Sequence, residues 1–115
     1  DKPNVQGLIK EFARLSIEAS VNKAAAKWAG GAAVLKEAQL AGATETTVQE
    51  YAAGAIAEAV ALRSLDANDA AYEAASSRGY FGIKDIAKLF DEGKPLDTIV
   101  SDALGKIETR RPAKK

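Results

Sequence analysis

Few residues in this chain could do chemistry. Its 115 residues include no histidine, no cysteine and no methionine. Proton shuttling near neutral pH normally uses imidazole, and activated-thiol chemistry needs cysteine. Carboxylates, lysine, serine and tyrosine remain. Three spacings invite a chemical reading. Ser20-Val21-Asn22-Lys23 has the serine-x-x-lysine spacing of some acyl-transfer enzymes. Those enzymes also need an oxyanion hole and larger domains, so the stretch reads as the polar face of a helix. Asp66, Asn68 and Asp69 begin like a calcium loop, which requires glycine sixth and glutamate twelfth. Ala71 and Ser77 stand there instead, and helix capping is the better reading. Gly30-Gly31 lacks the lysine and hydroxyl residue of a phosphate loop and reads as a kink or turn. No catalytic, cofactor-binding or metal-ligating residue is assigned, no cofactor is expected, and the chain reads as a non-enzyme.

The candidate site residues are instead those able to touch a partner. Tyr80 and Phe81 lie between Gly79 and Gly82. They read either as a plug closing the end of a bundle or as a contact patch. Lys10, Lys23, Lys27 and Lys36 could meet acidic loops. Arg110, Arg111, Lys114 and Lys115 form a basic tail. The formal net charge is zero, so residues 1–109 carry about −4. That balance disfavours nucleic acid, which demands clustered cations. Trp28 reads as half-buried, its N–H finding a carbonyl or water; exposed, it would be a docking anchor.

The elements that must position these residues are helices. Alanine supplies 25 of 115 residues and aromatics only 6%, so the core is Ala, Leu, Ile and Val. Asn4 can cap a first helix running to about Ala29, with Val5, Leu8, Ile9, Phe12 and Leu15 on one stripe and Ile17, Val21, Ala24 and Trp28 on the next. A second helix covers about Ala32–Ala41. Thr47 and Glu50 have capping-box spacing, which starts a third helix at Val48. Its inner face is Val48, Tyr51, Ala52, Ala55, Ile56, Ala59 and Leu62, and Gly54 allows another helix close. Asp66–Asp69 can cap a fourth helix over about Ala67–Arg78. A short helix, Ile83–Phe90, and a last one opening near Pro95 follow. The last helix has the clearest amphipathic pattern, through Leu96, Ile99, Val100, Ala103, Leu104 and Ile107. It either packs back on the bundle, docks on a partner's groove or lies on a membrane surface, and Asp97 and Asp102 on its polar side disfavour an anionic membrane. The expected fold is all-α: an up-down-up-down four-helix bundle over residues 1–79, with a small C-terminal helical segment and basic tail over 80–115.

The chain opens Asp1-Lys2-Pro3-Asn4 without methionine. Removal of a targeting segment, or trimming, explains that start, and a processed exported or organellar protein is expected. No apolar run is long enough to span a membrane.

With its processed-looking start, four helix segments from Asn4 to Gly79 and no redox residues, the chain resembles the PsbQ-like extrinsic subunits on the lumenal face of photosystem II, including diatom and red-algal types. The resemblance implies a thylakoid-lumen location, docking on lumenal loops of large membrane-embedded subunits, and support of oxygen evolution without ligating the manganese–calcium cluster. The expectation is a non-catalytic accessory subunit, monomeric in isolation, that binds a larger protein complex. The alternative is a self-assembling helical structural protein of phage or bacterial type. Truncation after Gly79 is expected to leave the bundle folded and weaken partner binding.

Overall fold

The computed structural model describes residues 5–110; for 5–7 and 10–16 it describes the backbone alone. Among these residues are six α-helices and no strand: α1 (Val5–Ala25), α2 (Gly31–Ala41), α3 (Val48–Ser64), α4 (Asp69–Ser77), α5 (Ile83–Leu89) and α6 (Leu96–Arg110). The chain is all-α, as its periodicity indicates.

The third helix sits at the centre. Its start follows from its sequence: the Thr47 hydroxyl accepts from the Glu50 amide at 3.1 Å. The Glu50 carboxylate reaches back to the amide and hydroxyl of Thr46, one residue before the usual capping-box partner. Every residue from Tyr51 to Ala59 is buried, as are Ala61 and Leu62. A helix that is apolar on all sides has to be surrounded. Alanine makes this workable, because small side chains let several neighbours approach one axis.

The main neighbours are α1 and α5, and α6 closes the ring by packing on both of them and on α3. The strongly packed four are therefore α1, α3, α5 and α6. Long-range contacts fix their directions. The chain just after α1 meets the start of α3: a Cβ on Gly31, the first residue of α2, would stand 2.7 Å from Val48 Cγ1 and 3.1 Å from Trp28 Cε3. Tyr51 bonds the Gly79 carbonyl before α5, and Arg63 bonds Asp91 after it, so α3 and α5 run parallel. Ser20 bonds Asp97 and Trp28 bonds Glu108, so α1 and α6 also run parallel. The order around the ring is up, down, down, up. The shorter α2 packs on α3, and α4 packs on α3 and α5. The alternating up-down order expected of the first four helices is thus replaced, in the strongest packing, by α5 and α6 standing where α2 and α4 were expected. Apolar burial rather than length accompanies this: α5 has only 7 residues but buries Ile83, Ile86, Ala87 and Leu89, whereas the 11 residues of α2 bury Gly31, Val34 and Ala38 and the 9 of α4 bury Ala75 alone. One apolar cluster runs from Ile17 to Ile107, without a break at Gly79.

Several local expectations need correction. The first helix stops at Ala25 rather than Ala29. There the amides of Lys27 and Trp28 bond carbonyls three residues back, tightening the last turn. Leu8 is not in the core but 66% exposed, because the start of α1 lies beyond the level of Asp97 at the start of α6. The proposed cap Asn4 lies outside the described residues. In the last helix the expected inner face is buried except Leu96, which is 36% exposed at the first turn. That helix packs back on the other three.

Candidate functional site

A cluster of polar residues lies where two connections meet α3. Tyr51, Gly54 and Glu58 share one face of α3. The α2–α3 loop brings Glu45, and the α4–α5 connection brings Arg78, Gly79 and Tyr80. The Tyr51 hydroxyl donates to the Gly79 carbonyl at 2.6 Å, and the Tyr80 hydroxyl donates to Glu45 Oε2 at 2.8 Å. The two phenol rings stack, with centroids 6.1 Å apart and planes 16° from parallel. Glu58, only 3% exposed, meets Arg78 at 3.5 Å.

Two glycines make this packing possible. A Cβ on Gly54 would lie 2.6 Å from Glu45 Oε2, so the expected close approach is made by a loop carboxylate rather than another helix. Gly79 has φ +106°, and a Cβ there would lie 2.6 Å from the Ala38 carbonyl oxygen. The surroundings change the tyrosines. Burial is the largest cause raising the Tyr51 phenol, with the Glu45 charge adding to it. Burial also raises Tyr80, helped by its bond to Glu45 and by the charges of Glu45 and Glu58. Both hydroxyls are held protonated, and each donates one hydrogen bond. The cluster binds two connections to α3.

This geometry decides between the two readings of Tyr80 and Phe81. They are 7% and 4% exposed, so they are core residues at the end of the bundle rather than an open contact patch. Trp28 is half-buried, but its N–H goes to the Glu108 carboxylate rather than a carbonyl or water.

The cations are elsewhere. Lys23, Lys27 and Lys36 are exposed. Lys23 stands 3.8 Å from Asp97. It shares an open groove between α1 and α6 with Ser20, Lys27 and Ser101, so the Ser20–Lys23 spacing belongs to a helix face and Ser20 donates to Asp97 at 2.6 Å. Arg110 donates to Asp85 at 2.7 Å. The side chain of Lys10 and the whole of Arg111, Lys114 and Lys115 lie outside the described residues. Asn68 caps α4 by accepting from the Ala71 amide at 3.0 Å. No group of three or more acidic metal-ligating side chains converges among the described residues, and no helix among them is long and apolar enough to cross a membrane.

Sequence reasoning missed Glu45, Glu58 and Arg78. One signal existed: Tyr51, Gly54 and Glu58 at i, i+3 and i+7 place a carboxylate and a phenol on one helical face amid alanine. No protein-family model, curated protein or solved structure matches this chain.

Proposed function

We propose that this chain is a non-catalytic accessory subunit that docks on a larger protein assembly through Lys27, in the connection after α1, and Lys36 on the outside of α2. The carrying observation is the state of the cations there. Lys27 and Lys36 are exposed, and neither has an ion-pair partner among the described residues. Lys88 and Lys106 are likewise exposed without an ion pair among the described residues, whereas Arg63, Arg78, Lys84, Lys94 and Arg110 each pair with a carboxylate. Charges that hold no element of the fold in place are available to an acidic partner surface, and they steer its approach.

The particular assembly rests on the resemblance to lumenal photosystem II subunits. In that reading the lysines face lumenal loops, and the protein works in the thylakoid lumen. The test is co-sedimentation of the chain with photosystem II membranes washed free of extrinsic subunits. The wild type is expected to bind at low salt and to be released by about 1 M salt, where screening is nearly complete. The variant K27E/K36E, altered only at exposed positions, is expected to bind poorly. A folded wild type that stays in the supernatant at low salt overturns the photosystem assignment; equal binding by the variant overturns the lysine surface.

A second reading, self-assembly, is favoured by Leu40, which is 82% exposed on the outside of α2. Sedimentation equilibrium separates the two. A concentration-dependent mass abolished by Leu40→Ser supports self-assembly, and a constant monomer mass supports a subunit bound to something else.

A further inference from the structure

A groove runs along α4. Asp69, Glu73 and Ser76 line one wall; Lys84 and Asp85 of α5 and Arg110 of α6 line the other. Its volume is about 380 Å³, and beyond Glu73, Ser76 and Arg110 it continues into a second cleft of about 460 Å³. Two of its three carboxylates are already satisfied. Asp69 pairs with Lys84 at 2.7 Å, and Asp85 pairs with Arg110 at 2.7 Å. Glu73 is exposed and has no ion-pair partner among the described residues. The groove is therefore lined by three carboxylates against two cations, and Glu73, whose charge is felt by Lys84, is the carboxylate without an ion pair of its own among the described residues.

The chain supplies cations at this point. Arg110 lines both halves of the groove, and the next five residues are Arg111-Pro112-Ala113-Lys114-Lys115. An extended residue spans at most about 3.6 Å, so Lys114 cannot lie more than about 14 Å from Arg110. Tethering at the groove wall gives these cations a high effective concentration there, and a weak ion pair is then enough to fill the groove.

We propose that the groove along α4 is a docking site for this chain's own basic segment Arg111–Lys115, with the Glu73 carboxylate taking the ammonium of Lys114 or Lys115. The docked segment withdraws those cations from other partners, and an acidic partner surface would compete with Glu73 for them. The proposal is independent of the identity of the assembly, because it concerns one chain alone.

The test is zero-length carbodiimide coupling of carboxylates to amines in the full chain at high dilution, with the products mapped by mass spectrometry. Coupling of Lys114 or Lys115 to Glu73 within one chain is expected. Its yield should drop several-fold at about 0.5 M salt, where surface pairs are screened. In Glu73→Gln, an exposed substitution, coupling of the tail to α4 should fall several-fold while circular dichroism is unchanged. Coupling spread evenly over distant carboxylates such as Asp66 and Glu50, coupling seen only between two chains, or none at all overturns the proposal.

Discussion

The indole N–H of Trp28, just past the end of α1, donates to the Glu108 carboxylate in the last turn of α6, eighty residues further along. With Ser20 and Asp97 at the other end of α6, it joins two parallel helices at two levels. Replacing Glu108 with alanine should shift Trp28 fluorescence to the red and cost about 1 kcal/mol, the usual net worth of one such hydrogen bond. Glu108→Gln keeps an acceptor and should shift it less. An unchanged emission maximum in Glu108→Ala would show that the contact does not set the indole's surroundings.

The stacked phenols set the alkaline limit of the fold. Both Tyr51 and Tyr80 are raised above the ordinary value of 10.0, chiefly by burial. The unfolded chain therefore releases those protons before the folded chain does. Stability is level below about pH 10 and falls as pH rises beyond it, toward the raised folded values. Melting temperature against pH checks this, and Tyr51→Phe with Tyr80→Phe should flatten the alkaline fall. Tyr51→Phe alone should cost about 1–2 kcal/mol near neutral pH, since it orphans the buried Gly79 carbonyl.

Two glycines with positive φ should respond differently to alanine. Gly79 combines φ +106° with a Cβ position 2.6 Å from the Ala38 carbonyl oxygen, whereas Gly93 has φ +71° and nothing within 4 Å. Gly93→Ala should cost about 1 kcal/mol from backbone strain alone. Gly79→Ala adds a backbone collision to its strain and should cost at least about 3 kcal/mol. Chemical denaturation of the two variants measures the difference, and equal losses would contradict the close approach of the α4–α5 connection to α2.

Asp66 offers a gain. It ends α3 with φ +53°, the one positive φ outside glycine among the described residues. Its amide bonds the Arg63 carbonyl, and the Ala67 amide bonds the Leu62 carbonyl at 2.9 Å. This is a Schellman ending with aspartate where glycine is usual. Asp66→Gly should raise stability by about 0.5–1 kcal/mol, the left-handed strain being partly offset by the entropy of the unfolded glycine. A lower melting temperature would mean that the aspartate side chain holds the turn.

Much of the fold was legible in the sequence. The Thr47 cap, the Asn68 cap and the inner face of α6 are local features, set by residues within one or two turns. Ring membership was not legible, because it depends on which helices meet α3 across long stretches of sequence, and the alanine-rich stretches are equally willing to be buried or exposed. Ala53 and Ala57 are in the core while Ala32 and Ala33 are exposed. The same ambiguity hid Glu58, whose burial depends on Arg78 arriving twenty residues later. Tyr80 and Phe81 were legible as unusual residues at a connection; that they point inward follows from Gly79 letting the connection lie against α2.

The direct test of a single core built on α3 is thermal unfolding of residues 1–79 alone, followed by circular dichroism. Removing α5 and α6 uncovers the sides of α3 that pack on them and should abolish the cooperative transition. A cooperative melt close to that of the full chain would contradict the ring of α1, α3, α5 and α6 and show that the first four helices stand by themselves.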